Sequence, residues 1–463
     1  MIEASAVNEL RGRFHGDLLT PGHQDYDTAR RVFNAMIDRR PALIARCAGT
    51  SDVVAALAFG REQGLVISVR CTGHNIVGFA VCDDGLVIDL SRMKDIEVDP
   101  ASRTVRVAAG CNWGEVNDAL QPHGLAATGG FVSVTGVSGL TLGGGLGWLV
   151  RKHGLALDNL ISAEVVLANG DVVTASASDR EDLFWALRGG GGNFGIVTSF
   201  LFQAHPVGTA LAGIVLHPAA RAVEVLRQWR DIDASLPEAT TLGGLLFHFP
   251  EDPSGPPPLL GQPLVGIGGV HAGSIEEGEA VLKAVRAVGP PIVDLYQPTP
   301  YNEAQRMADF AFPPNLHGYW KSGYLKSLSD GAIDVIASYF ARVPSKNTVI
   351  VIEHNGHGAM ERVDEAATAF GDRRWPYNFV VTSAWSDPTD TERNIAWTRE
   401  LFAAMRPFLA DGVYVNYLGS DEGPERLTAA YGSAKLSRLA TLKVKYDPDN
   451  VFRMNQNIAP AAS

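Results

Sequence analysis

The chain has 463 residues, 46% apolar and 19% charged, and its 39 Lys and Arg against 51 Asp and Glu give a net charge of −12. That length points to two domains with sizeable cores, and the acidic balance argues against a nucleic acid or an anionic membrane as the main partner. Four cysteines without CxxC spacing (Cys47, Cys71, Cys82, Cys111), no apolar leader in MIEASAVNELRGRF and no run of about 18 apolar residues point to a reduced, cytoplasmic protein that does not cross a membrane.

Asp27 is placed to cap a helix carrying Ala29, Val32, Phe33, Met36 and Ile37 on one face. Ala42–Cys47 reads as a strand, followed by a helix capped by Ser51 and ended by Gly64. Val66–Arg70 reads as a second strand. This βαβ unit runs straight into Cys71-Thr72-Gly73-His74-Asn75, at the strand end where α/β units place ligands. Leu86–Asp89 and Thr104–Ala108 suit strands and Asn112–Gln121 a helix.

Residues 129–147 are the most unusual stretch. Eight of the nineteen are glycine, and no Lys, Arg, Asp or Glu occurs from Leu125 to Val150. A surface linker would carry charge, so the stretch is expected to be buried, with its backbone free to approach a ligand. A phosphate there would have to be held by main-chain N–H groups. Glu164–Leu167, Asn169-Gly170 and Val172–Ala175 form a hairpin signal. A short helix from Asp179 to Leu187 leads to a second glycine cluster, Gly189–Gly192, and the strand Ile196–Phe202.

From about residue 208 longer helices (Arg221–Asp233, Ile275–Val288, Ala332–Ala341) alternate with strands (Thr241–Phe247, Val265–Val270, Thr348–Glu353). Pro250–Pro263, with six prolines, reads as a loop. The pattern from Gly412 to Pro460 is loop-rich and is expected to fold back onto the first domain. The expected division is 1–207, 208–411 and 412–463.

Common nucleotide motifs fail. Neither glycine cluster is followed by Lys-Ser or Lys-Thr as a P-loop requires, and Gly143-Gly144-Gly145-Leu146-Gly147 has the wrong spacing and position for a dinucleotide fingerprint. His354 and His357 lack further ligands at a telling spacing, so no metal site is expected.

Four ordered segments are specific together: VRCTGHNIVGFAVCDDGLVIDLS, TGGFVSVTGVSGLTLGGGLGWL, DLFWALRGGGGNFGIVTSF, and GVYVNY with KYDPDNVFRMNQNI. They resemble the FAD-linked oxidases similar to berberine bridge enzyme, within the vanillyl-alcohol-oxidase and p-cresol-methylhydroxylase type of flavoprotein fold. The resemblance implies an α+β architecture: a two-part FAD-binding domain and an antiparallel-sheet substrate domain backed by helices. It implies FAD joined by its 8α carbon to His74. The usual Arg-Gly-Gly-Gly-His is here Arg70-Cys71-Thr72-Gly73-His74. Val132 stands where some relatives carry a second attachment cysteine, so a single covalent bond is expected, and Leu140 stands where they tend to have a histidine.

By the same resemblance the flavin contacts are Arg70, Cys71, Thr72, Gly73, Asn75, Gly78 and Phe79; Gly130, Val134, Thr135, Gly136, Gly139 and Leu140; Gly143, Gly144, Gly145, Gly147 and Trp148; Asn193, Gly195, Ile196 and Val197; and Asn455 and Gln456. Thr135 is expected near the central flavin ring. Tyr414, Asn416 and Tyr417 are expected on a C-terminal strand facing it.

The implied reaction is hydride removal from a small, secondary-metabolite-like substrate to flavin N5, with O2 as acceptor and a protein base taking a proton. Tyr417 is the first candidate base and Tyr414 the second. Glu353 or His354 is the alternative. The glutamate that plant members carry before the C-terminal motif has no counterpart in 375–385. Trp320, Tyr324, Phe379 and Trp385 either line an apolar pocket or belong to the core. A flavin dehydrogenase, a cyclase without net redox change, and a non-catalytic flavin-binding protein are the rival readings.

Overall fold

The computed structural model describes residues 2–252, 257–419 and 421–461; part of the proline-rich loop lies outside them. Two small sheets come first. One has the order Asp17–Leu19, Leu43–Arg46, Leu86–Asp89, Ile67–Arg70. Leu86–Asp89 runs parallel to both neighbours, so it lies between the two strands of the expected βαβ unit. The other is antiparallel, in the order Ile96–Asp99, Thr104–Ala108, Ile196–Gln203, Leu160–Val166, Val172–Ser176. Its last two strands are the expected hairpin.

Both sheets share one core, with Leu43, Ile88, Val107, Trp113 and Phe200 buried together. Tyr431, Leu439, Phe452 and Ile458 from the far end of the chain are in the same cluster. The tail is not loop-rich: it contains the helices Pro424–Tyr431 and Ser433–Tyr446. Pro424 at the first helical position and Leu436, Leu439 and Leu442 three apart are the signals for them.

A buried cation fastens this tail. Lys443 and Asp447 are fully buried and 2.6 Å apart. Lys443 Nζ also donates to the carbonyls of Asn193, at 2.7 Å, and Phe452, at 2.9 Å. The Asn193 side chain donates to the carbonyls of Gly190 and Gln456, and its Oδ1 accepts from Ile458 N–H. Lys443→Met therefore strands a carboxylate and two carbonyls in the core. We expect a loss of about 3–5 kcal/mol, read as a lower unfolding midpoint, with part recovered when Asp447→Asn removes the orphaned charge.

A two-stranded sheet pairs Leu125–Ala126 with His205–Pro206, and the largest sheet has eight strands. Its order is Val293–Asp294, Thr209–Pro218, Pro263–His271, Thr240–His248, Val349–His354, Tyr377–Trp385, His317–Leu325, with Gln297–Pro300 also pairing Thr209–Pro218. All pairings are antiparallel. Helices Ala222–Asp233, Ile275–Arg286, Asp330–Phe340 and Thr391–Met405 supply Trp229, Leu282, Ile333 and Leu401 to the core against it. Strand side chains alternate between faces. Ile350, Ile352, Phe379 and Val381 enter that helix-backed core, whereas Val351, Glu353, Val380 and Thr382 line a cavity on the other face.

A helix at Ala4–Arg11 comes first, and the helix expected after Asp27 departs from expectation. It covers only Tyr26–Ala29. Beyond it, tertiary bonds pull the backbone away: Phe33 N–H donates to the Gly73 carbonyl, and Asn34 Nδ2 donates to the carbonyls of Ile76 and Gly318. The next helix starts at Thr50 after Gly49, not at a Ser51 cap. Asp52 instead accepts from the N–H groups of His15, Gly16 and Ala48.

Candidate functional site

A cavity of about 340 Å³ opens between the first sheet, the glycine stretch, the eight-stranded sheet and the tail, within the range of small-ligand sites. Most expected site residues line it: Cys71, Thr72, Gly73, His74, Asn75 and Phe79; Thr135, Gly136, Gly139, Leu140, Gly143 and Trp148; Asn193; Glu353, Tyr414, Asn416 and Tyr417; and Asn455 and Gln456.

Others stand behind the wall. The Arg70 guanidinium turns back to the Ala29 carbonyl. Gly78 packs under Ile37, and Gly195 against Val165. Ile196 and Val197 are in the first core. Gly130, Gly144, Gly145 and Gly147 shape the backbone from outside the lining: a Cβ on Gly147 would sit 1.8 Å from the Gly129 carbonyl oxygen. Val134 is a correction. It is 47% exposed and absent from the cavity wall, because Ser133 N–H and Oγ bond Asp309 and hold this turn at the surface.

The glycine stretch builds one wall. Gly136 precedes a short helix, Val137–Gly143, whose first N–H groups have no intrahelical acceptor. Gly136 leaves room for the side chains of Cys71 and Thr72: a Cβ there would lie 2.5 Å from Cys71 Sγ and 2.9 Å from Thr72 Oγ1. Gly73 has φ +77°, the left-handed turn that presents the next residue. That residue is His74, whose ring lies 4.3 Å from the Phe33 ring, centroid to centroid. Burial lowers the imidazole pKa to about 4, so the ring is neutral at physiological pH.

The tail residues form a bonded cluster. They lie on an irregular segment with a single 3₁₀ turn, Val415–Tyr417, rather than on the expected strand. Gly145 N–H donates to Tyr414 Oη at 2.9 Å. Asn416 Nδ2 donates to the same oxygen, at 2.8 Å, and to the Leu140 carbonyl. Tyr414 thus clamps the glycine stretch, and burial pushes its phenol up to about 12.

Tyr417 Oη donates to Glu353 Oε1 at 2.8 Å, and Asn378 Nδ2 donates to Glu353 Oε2 at 2.8 Å. Burial pushes the Glu353 carboxyl up to about 7 despite these donors, and pushes the Tyr417 phenol well above its usual value. Tyr417 is therefore protonated near neutrality and donates to Glu353. Two of the expected candidates, Tyr417 and Glu353, thus form one bonded pair. His354, next in sequence, faces the opposite way and meets Asp233 at 2.7 Å, both fully buried.

Among the expected aromatics only Trp320 lines the cavity. Phe379 is in the helix-backed core, Tyr324 is buried beside Tyr414, and Trp385 donates to Thr391. Sequence reasoning missed Phe131, Phe312 and Tyr431, all in the lining. For Tyr431 the only signal is a tyrosine inside an apolar helix face.

The site fits a flavin nucleotide. Thr72 Oγ1, Tyr431 Oη and Asn455 Oδ1 are buried without a hydrogen-bond partner and belong to lining residues. A Cβ on Gly139 or Gly192 would meet nothing within 4 Å. No Lys or Arg lines the wall among the described residues, so backbone N–H groups and these neutral side chains would hold the pyrophosphate.

Comparisons with known proteins agree with this geometry. A model described as FAD binding domain matches residues 41–176, and one described as berberine and berberine like matches 413–459. An FAD-linked oxidoreductase of Dictyostelium discoideum is 30% identical over 457 residues, covering 98% of this chain and 97% of its own. A second, from Bacillus subtilis (strain 168), is 31% identical over 452 residues, covering 96% and 97%. The crystal structure of a nicotine oxidase from Arthrobacter nicotinovorans, specific in name for the 6-hydroxy-D form, superposes with a TM-score of 0.87 at 28% identity, covering 97% and 98%.

Proposed function

The chain belongs to the berberine-bridge-enzyme-like FAD-linked oxidoreductases, and from that premise we propose that it oxidises a small apolar molecule with O2 as acceptor, Glu353 and Tyr417 handling the proton. FAD, when bound, accepts a hydride from a substrate carbon. The chain's residues supply the rest. His74 tethers the flavin through one bond, since Val132 offers no second thiol. Thr72, Tyr431 and Asn455 complete its hydrogen bonding, and Tyr414 and Asn416 fix the glycine stretch around it. Glu353 accepts the proton from the substrate N–H or O–H next to the reacting carbon, with Tyr417 holding the carboxylate in place. We divide the chain functionally into 1–207, 208–411 and 412–463, the last completing the flavin domain.

One observation carries this reading: the buried Glu353 carboxyl accepts from Tyr417 Oη at 2.8 Å in the chamber that also holds His74, where burial pushes its pKa up to about 7. Anaerobic mixing with a panel of apolar alcohols and amines, followed by air, tests it. Bleaching of the yellow colour and fast recovery in air are the expected result. Bleaching without recovery in air would make it a dehydrogenase. Product formed without bleaching would indicate a cyclase, and no response to any compound a flavin-binding protein.

A further inference from the structure

Strand register lays out the floor of the chamber. Glu353 stands opposite Asn378, Val351 opposite Val380, and Val349 opposite Thr382, which in turn stands opposite Trp320. Glu353, Val351, Val380, Thr382 and Trp320 line the cavity. The polar end is the Glu353–Asn378 row, where Tyr417 and Asn378 both donate to the carboxylate. Four residues further along the strand, about 13 Å at ~3.3 Å per residue, the floor ends at Thr382 and Trp320. Between the two ends it is aliphatic, with Val351, Val380 and Leu245, the cross-strand neighbour of Val351.

A second cavity, of about 20 Å³, lies beyond that apolar end. It shares Phe312, Trp320 and Thr382 with the main chamber, so these three side chains are the partition. Behind them the recess is walled by Ala311, Leu316 and Ala384, and its rim at Pro313 and Asn347 is exposed. Its volume holds about one methyl-sized group. Two of the three partition residues are tied down. Thr382 Oγ1 donates to the Val349 carbonyl at 3.0 Å, and the Trp320 ring lies 6.1 Å from Phe33 and 6.2 Å from Tyr417. Phe312 instead follows the short 3₁₀ segment Gln305–Ala311 and meets Trp320 edge to face, 6.2 Å between centroids. Asp309 holds that segment over the chamber through its bonds from Ser133.

We propose that Phe312 sets the length of the substrate. The polar group sits at Glu353, the apolar body lies along Val351 and Val380, and the body ends where Phe312 closes the chamber against Trp320. The inference rests on the oxidase reading and adds a size class to it: compact apolar molecules are accepted and long-chain ones excluded. The same ring keeps the recess shut, so a smaller side chain at 312 joins the two cavities and lengthens the floor.

Straight-chain primary amides, from butanamide to decanamide, titrated into the purified yellow protein by calorimetry, test this without turnover. Their N–H groups donate to Glu353, and the carbon next to the nitrogen bears no hydrogen for a flavin to take. Each added CH2 should tighten binding by about 4-fold while the chain still has floor to cover. At one chain length the series should break, the next member binding at least ~10-fold more weakly than the trend. In Phe312→Ala the break should move to a longer chain. Ala384→Leu added to that variant should move it back by filling the recess. Phe312→Leu should shift the break less and in the same direction, and it carries the test if the alanine variant does not fold. A Phe312 that serves packing alone would weaken every amide alike and leave the break in place. That result overturns the proposal, as does a series with no break or a protein that binds none of the amides. The oxidase reading stands or falls separately, on flavin uptake in the visible spectrum and on bleaching by an oxidisable alcohol.

Discussion

Acid precipitation of the unaltered protein is expected to leave nearly all the flavin in the pellet, whereas His74→Ala should release all of it to the supernatant. The intact mass should exceed the chain's own by one FAD in the first case and match it in the second. Bond formation needs a neutral imidazole, and burial provides one: with its pKa lowered to about 4, His74 is deprotonated throughout the physiological range. Its ring is positioned by a tilted contact with the Phe33 ring and by the left-handed Gly73. Among the described residues no hydrogen bond claims the ring nitrogens. The His74→Ala protein should still take up flavin reversibly, because the glycine wall and the partners around Tyr414 do not depend on the imidazole. An unmodified mass for the unaltered, yellow protein would remove the tether and leave the fold intact.

Glu353→Gln is expected to lower kcat/KM by about 100- to 10,000-fold, the usual contribution of a positioned base. In the unaltered enzyme the rate should climb with pH through about 7 as the carboxyl ionises. Tyr417→Phe should move that climb to higher pH, since its hydroxyl is one of the bonds holding the carboxyl down. The effect on stability has the opposite sign. The folded-state pKa lies above the ordinary 4.5, so Glu353 favours folding least once pH has risen through about 7. The difference is worth roughly 3 kcal/mol. Glu353→Gln should therefore unfold at a higher temperature than the unaltered protein at about pH 8. A slower enzyme that is also less stable at that pH would mean the residue serves packing instead.

Much of the site was legible because composition and position mark the glycine stretch and the loop after Arg70, and the resemblance to the FAD-linked oxidases supplied His74, Tyr414, Tyr417, Asn455 and Gln456. A long uncharged, glycine-rich stretch and a histidine directly after a strand are local patterns, and both line the cavity. What was not legible depended on facing and on distant partners. Glu353 and His354 are adjacent, and only the placement of Ile350 and Ile352 in the helix-backed core tells which of them looks into the cavity. The same alternation removes Phe379 and leaves Val380 in its place. Phe33 reads as one face of a helix until Asn34 is seen bonded to residues 42 and 284 positions away. Val134 looks like core by composition, yet Ser133 and Asp309 keep it at the surface. The orphaned Tyr431 hydroxyl has no local signature, since only the whole cavity makes it unpaired.

The placement of Lys443 has a consequence for biosynthesis. The first core is closed by Leu439, Phe452 and Ile458, made more than two hundred residues after the strands they cover, so the N-terminal part emerges with its own wall missing. Between translation of Gln203 and of Ile458 lies an interval on the order of tens of seconds at ~5–20 residues per second. During that time Asn193 has neither its ammonium donor nor its backbone partner at Ile458. The wall at Asn193 is therefore complete only once Lys443 and Ile458 have both been made.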